Sequence, residues 1–383
     1  MKHPPGQAPA RLYSLDVLRG AAALAVIFWH WQHFFAPLNP LGAPLLQSQQ
    51  PFFPALSFLY RHGYTAVQLF FCLSGFVFFW LYAGRVADRS ISFQRFSILR
   101  LSRLYPLHLA TLLLVALGQL AYLAMTQKPF VYQYNDLYHL FLNVFFVSAW
   151  GFEKGFSFNA PIWSVSVEIF LYGIFFALCR QTRSGWISVV TGIIAGCIMQ
   201  KFVGPLGVGM VFFFLGGAVY LGNHAMRPHA GNLALHWVIP GLTAMLWIMV
   251  INVSDPQLQR PAPAILQWLI ADFFSAWTLV LFPLTILSLA LIETRRGSLF
   301  RRMAFIGNLS YSCYLLHFPF QLAVAIAMAT WQLDPQIVYS RAFMLIFFTA
   351  LIPASFASYW FFEMPVQRWL RKRYTAAGET CHA

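Results

Sequence analysis

The sequence predicts an all-α polytopic membrane bundle, and three observations carry that expectation. Only 9% of the 383 residues are charged, against roughly 25% in a soluble domain. Apolar runs of about 20 residues recur along the whole chain, each long enough to cross a hydrocarbon core of roughly 30 Å as a helix. The short alternating strands of a transmembrane barrel are not visible.

Ten spans are expected, at 15–35, 64–82, 98–125, 160–179, 185–201, 205–221, 235–251, 265–292, 305–329 and 342–362. An even number puts both termini on one side. With a cytoplasmic N-terminus, only Arg61, Lys128, Lys154, Lys201, Arg260 and Arg341 fall outside, which leaves 19 of the 25 basic residues on the cytoplasmic side. Cytoplasmic loops carry such an excess, so both termini are expected in the cytoplasm. The same bias accounts for the net charge of +14 as topology, with no nucleic-acid partner implied.

The expected organisation is a cytoplasmic segment 1–14, one membrane domain 15–362 and a basic cytoplasmic tail 363–383. The first apolar run is too long for a signal-peptide core and reads as a retained span. On the outer side, 36–63 and 126–159 are long enough to have structure. Within the second, 135–150 is expected to be an interfacial or re-entrant helix. Together they are expected to roof an external acceptor site. The five cysteines are scattered, and His224, His229 and His236 fit no ligand spacing, so no disulfide framework and no metal site are expected.

Ionisable groups inside spans are costly and are functional candidates by default. The first span holds Asp16, Arg19 and His30, with His33 one turn beyond. Arg19 and His30 are eleven residues apart, which at about 100° per residue puts both on one helical face, roughly 16 Å apart along the axis. From spacing alone two readings stand: a functional pair, or a topology-anchoring arginine with an interhelical histidine. Asp16, one turn before Arg19, either pairs with it or acts separately. Arg100 and Arg103 share a face at the start of the third span and with Arg19 would form a cationic mouth. Arginine suits phosphates because its fork donates two hydrogen bonds at once; topology anchoring explains each one equally. Glu168 lies in an apolar stretch and needs a partner or a proton. It either orients His30 or holds an arginine. His317, two residues before Pro319, either lines a site or satisfies a backbone group that the proline frees.

These residues fall in blocks with a family resemblance. Ser14-Leu15-Asp16-Val17-Leu18-Arg19-Gly20 followed by His30 resembles the opening of the family 3 membrane acyltransferases. Five later blocks are similar in order: 70–76 around Ser74-Gly75-Phe76, Arg100-Leu101-Ser102-Arg103 with Tyr105-Pro106, Trp163-Ser164 through Glu168, 309–317 ending in His317, and Glu363-Met364-Pro365. The resemblance covers essentially the whole chain. It implies O-acyl transfer from acyl-coenzyme A, acetyl-coenzyme A first, with no metal cofactor, at a bacterial inner (cytoplasmic) membrane. It also implies a carbohydrate hydroxyl as acceptor, with a cell-surface or secreted glycan expected before a small-molecule or lipid hydroxyl. Some members carry a fused hydrolase-like domain; none is expected within these residues.

Under that resemblance Arg19, Arg100 and Arg103 would bind the donor's phosphates. The pantetheine arm would reach inward, and His30 would act as general base or as a covalent acyl carrier. Glu168 would orient the imidazole, and Ser74 or His317 would line the channel. A membrane transporter is the alternative from a different class, because interior charges with Gly and Pro breaks also suit one.

Overall fold

The computed structural model describes residues 11–226, 233–254, 274–297 and 300–376. In chain order the helices are α1 (Tyr13–Trp29), α2 (Phe53–His62), α3 (Ala66–Phe78), α4 (Phe93–Thr126), α5 (Leu137–Val144), α6 (Trp163–Thr182), α7 (Gly185–Met199), α8 (Gly204–Met226), α9 (Leu233–Ser254), α10 (Phe274–Arg296), α11 (Phe305–Trp331), α12 (Arg341–Ala357) and α13 (Met364–Ala376). A single pair of two-residue strands, Phe35–Ala36 with Ala43–Pro44, is the only sheet among the described residues. The protein is therefore an all-α polytopic chain.

Among the described residues, seven helices are long and apolar enough to cross a membrane: Phe53–Ala87, Phe93–Thr126, Ala160–Thr182, Gly204–Met226, Trp277–Arg296, Arg301–Trp331 and Arg341–Tyr374. α1, Gly185–Met199 and His236–Asn252 are shorter apolar helices at three further expected spans. The second expected span is the middle of a longer helical run that begins at Phe53. Positions 265–273 of the eighth, together with His229, most of 1–14 and the end of the tail, lie outside the described residues.

Local chemistry sets several boundaries. Ser92, Ser184 and Ser340 cap α4, α7 and α12, each accepting from a backbone N–H of the first turn. Asp136 caps α5, accepting from the His139 backbone N–H at 2.8 Å. Within 135–150, where an interfacial or re-entrant helix is expected, the chain forms the eight residues of α5, with Leu137 and Phe141 exposed and His139, Leu142 and Asn143 buried. Such a split suits a boundary between two media.

The chain divides into two compact units. The first comprises 1–26, 57–89 and 171–308, and the second 27–56, 90–170 and 309–383. The first unit has α3 packed on α8 at very close range. A Cβ at Gly75 would run into the Phe213 carbonyl oxygen, and one at Gly216 into that of Cys72. Small residues permit this backbone approach between apolar helices, where dispersion rather than the hydrophobic effect drives association. In the second unit Tyr122, Phe130, Phe158, Phe318 and Leu322 form a buried cluster.

The segments 36–56 and 127–135 of the second unit are tied to their neighbours and to each other. Gln119 exchanges two side-chain bonds with the Phe130 backbone, at 2.9 and 3.0 Å. Val131 N–H donates to the Leu38 carbonyl, and the Tyr122 hydroxyl donates to Asn39 Oδ1. The Tyr339 hydroxyl donates to the Pro44 carbonyl. The non-helical stretch 127–135 is thus held by specific bonds that satisfy its backbone.

Candidate functional site

The candidate site is built where α1 ends. α-Helical bonding stops at Trp29, and His30–Phe34 continue as a 3-10 turn. Residues three apart eclipse in that geometry. The His30 and His33 rings accordingly stack, with centroids 4.7 Å apart. α11 supplies the other half. His317 and Gln321 are four residues apart and so share a helical face. His317 Nε2 lies 2.9 Å from His30 Nδ1, with the two rings stacked at 15°. Gln321 Nε2 donates to the His30 carbonyl at 2.9 Å, and its Oε1 meets His33 Nδ1 at 2.9 Å. The Tyr132 hydroxyl closes the group, 3.2 Å from His33 Nε2.

Acceptor-only partners assign the protons. His317 Nδ1 is 2.6 Å from the Tyr314 carbonyl oxygen, which can only accept, so Nδ1 carries hydrogen. The lone pair on His317 Nε2 then accepts from His30 Nδ1–H. That leaves the lone pair of His30 on Nε2, which has no hydrogen-bond partner among the described residues. The amide of Gln321 donates to a carbonyl, so its oxygen accepts from His33 Nδ1–H, and His33 Nε2 accepts from Tyr132. With each of the three imidazoles neutral, this network gives each one tautomer. His317 and Gln321 have no exposed surface, whereas His30 keeps 5%. His33 keeps 3%, so His30 is the most exposed of the four.

Pro319 has a defined part here. It cannot donate to the Leu315 carbonyl one turn back. Asn159 Nδ2 takes that carbonyl at 3.0 Å. His317 bonds the neighbouring carbonyl of Tyr314, while the carbonyl that the proline frees is taken by Asn159. The Tyr314 hydroxyl donates to the Pro161 carbonyl and meets Ser164 Oγ, both at 2.8 Å. The Trp-Ser block thus buttresses the helix that carries His317.

The remaining expected residues sort by unit. Glu168 lies in the second unit, within electrostatic reach of the Tyr314 and Tyr311 hydroxyls; the group bonded to the His30 ring is His317. Arg103 shares the surroundings of Tyr311 with Glu168 and Glu363. Glu363, of the Glu-x-Pro block, accepts from Ser312 Oγ at 2.5 Å and Ser358 Oγ at 3.0 Å. Arg100 is on the same helix, α4, where Arg371 of α13 donates to Ser102 Oγ and the Leu99 carbonyl.

Arg19, Asp16 and Ser74 belong to the first unit. Asp16 accepts from Arg19 at 3.2 Å and from Arg11 at 2.6 Å, so the pairing read from i,i+3 spacing is present. The grouping of Arg19 with Arg100 and Arg103 rests on the sequence pattern. Ser74 lies on α3 beside the Gly75 contact. One carboxylate escaped the sequence reading. Glu293, only 2% exposed, accepts from the Tyr13 and Ser14 backbone N–H groups at 2.9 Å and from Ser14 Oγ at 2.5 Å. It caps α1 from a distant helix, satisfying donors that have no intrahelical partner. Gln321 and Tyr132 also went unremarked. The available signal for Gln321 was an amide one turn beyond His317 in an apolar helix.

Comparison with known proteins shows the family. The model of the acyltransferase domain family matches residues 12–363, and the chain belongs to that family. The chain is 34% identical over 203 residues to Acyltransferase MdmB of Streptomyces mycarofaciens, covering 50% of this chain and 46% of that protein. It is 35% identical over 108 residues to Protein 2 in picA locus of Rhizobium radiobacter, covering 28% of this chain and 46% of that protein. The matched stretches thus span about half the length of these curated relatives. No solved structure matches.

Proposed function

We propose that this member of the acyltransferase domain family is a bacterial inner-membrane enzyme that moves an acetyl or other short acyl group from cytoplasmic acyl-coenzyme A to a carbohydrate hydroxyl. The observation that carries the reading is the hydrogen-bond chain from the Tyr314 carbonyl through His317 to His30, which leaves His30 Nε2 without a hydrogen-bond partner among the described residues. His30 Nε2 takes the proton of the acceptor hydroxyl as its oxygen attacks the thioester carbonyl. The C–O bond forms, the C–S bond breaks, and the proton on Nε2 passes to the departing sulfur. During the step His30 is an imidazolium whose Nδ1–H remains bonded to neutral His317. A dry site strengthens that bond.

Arg100 and Arg103 at the start of α4 would serve the donor's phosphates, with Arg103 also within electrostatic reach of the Glu363 carboxylate. Ten crossings with both termini in the cytoplasm suit the basic-residue asymmetry. A surface glycan is the first-choice acceptor, because the tied outer segments adjoin His33 through Tyr132.

The test compares surface polysaccharide from wild type, a deletion strain and a His30→Ala strain by NMR and mass spectrometry, with membrane abundance checked by blot. One O-acyl signal missing from both mutants, with normal protein level, establishes the reaction and names the acceptor. A signal retained with His30→Ala sinks the assigned role of that residue. An unchanged glycan in the deletion strain moves the acceptor to a small-molecule or lipid hydroxyl.

A further inference from the structure

The first unit contains a cavity of about 360 Å³ that the acyl-transfer reading does not use. That volume is within the range of small-molecule sites. Three separate stretches of chain wall it. The first is 79–87, the second is the turn joining α6 to α7, and the third is the last turn of α8. Its basic lining consists of Arg85 and Arg183 with His224 beside them, and among the described residues no carboxylate lines it. Phe79, Leu221 and the faces of Trp80 and Tyr220 supply the apolar part.

Two features of the backbone shape it. Phe79–Ala83 is π-helical, so the wall bearing Trp80 is wider than an α-turn allows. Single π-turns of this kind concentrate at functional sites. On the opposite side Ser184 caps α7, and Ser184 and Gly185 line the cavity, so the positive end of a fifteen-residue helix faces the same space as the two arginines. Tyr220 and His224 stack on each other one turn apart, which holds the imidazole against the wall.

Positive charge from three independent sources converges on a cavity whose remaining surface is apolar. A fork of guanidinium donors with a helix N-terminus matches a phosphate. Basic pockets between membrane helices take anionic head groups. We propose that this cavity is a binding site for the phosphate of an amphiphile: Arg85 and Arg183 hold the phosphate oxygens, and Phe79, Trp80 and Leu221 hold the apolar body. The phosphate has two possible sources, an anionic phospholipid or the nucleotide end of the coenzyme A donor. The inference needs only the cavity and its lining; the acyltransferase reading bears on the second source alone.

Photo-crosslinking of the full-length wild-type protein in a neutral detergent tests it. The probe is a short-chain phosphatidylglycerol with a diazirine in its acyl chain, and adducts are mapped by peptide mass spectrometry. Adducts are expected in 79–87, 179–188 and 220–224. Excess unlabelled phosphatidylglycerol should remove them, and diacylglycerol, which has no phosphate, should not. An Arg85→Gln/Arg183→Gln variant should lower their yield about tenfold, and Arg85→Lys/Arg183→Lys should largely retain it. Removal of the same adducts by excess coenzyme A assigns the phosphate to the donor; persistence assigns it to lipid. Adducts that fall elsewhere, or that diacylglycerol removes as well as phosphatidylglycerol does, overturn the proposal.

Discussion

In the first unit, Asp16 holds Arg11 and Arg19 with side chains that stay 12–46% exposed, and Glu293 caps the same helix start. In the second unit, His30, His33, His317 and Gln321 are all buried and are joined by hydrogen bonds that neutral rings can make. The two groups adjoin the two ends of one helix, yet they solve the burial problem differently. Full charges near the helix start keep contact with water, which screens them and limits the worth of each pair to about 1 kcal/mol or less. The histidine group gives up most of its water and satisfies all its ring nitrogens but His30 Nε2 internally, because a buried unsatisfied group costs about 1–3 kcal/mol. A neutral network of this kind can accept one proton transiently. An ion pair already has its charges fixed. This difference is why the second group, and not the first, suits proton transfer.

The largest expected effect breaks the comparison at its centre. His30→Ala should lower turnover by about 10²–10⁴-fold, the usual share of a general base, while the thermal melt of the purified protein stays near that of wild type. A large fall in melting temperature with little change in turnover per folded molecule would make the histidines a packing device like the Asp16 group.

Next comes the partner. His317→Leu removes a hydrogen bond to the charged form of His30, worth about 1.5–3 kcal/mol, so turnover should drop about tenfold to a hundredfold. His317→Gln retains an acceptor for His30 Nδ1–H and should recover part of the loss. Equal losses in both variants would show that the tautomer chain is not the relevant contact. Gln321→Leu should have a smaller effect on turnover, with a fall in stability of about 1–3 kcal/mol from the orphaned His30 carbonyl and His33 ring.

For the first unit the expectation reverses. Glu293→Ala should cost about 1–3 kcal/mol of stability by leaving the Tyr13 and Ser14 donors unpaired. Turnover per folded molecule should be unchanged, as read by activity normalised to the folded fraction. Lost turnover at full stability would tie the helix start to the chemistry.

The smallest effect is at α5. Bonds from the His139 backbone N–H and ring hold the Asp136 carboxyl below its usual value of 3.8. A carboxyl lowered by folding contributes stability that is present above its unfolded value and lost as pH falls through the folded one. Amide exchange in 137–144 should therefore quicken as pH drops below 3.8, and Asp136→Ala should show the quicker exchange already at neutral pH.

Much of this was legible in the chain. Among the described residues, hydropathy alone located the seven helices that are long and apolar enough to cross a membrane, because a span must carry its own apolar length. The Asp16–Arg19 pair followed from helical spacing, and His30 and His317 stood out as ionisable groups inside spans. Other features were not legible. That His317, rather than Glu168, meets the His30 ring depends on which faces of two helices 287 residues apart are opposed. Glu293 reads as a helix-end acid until α1 is set beside α10. Tyr132 reads as a loop aromatic until Gln119 and Leu38 pin its segment. The sequence by itself determined the all-α class, the apolar runs and the residue types able to carry charge or a proton, since these depend on local length and period. Only the tertiary structure decided which of them meet, since a hydrogen bond between distant segments depends on ångström-scale packing that no local pattern encodes.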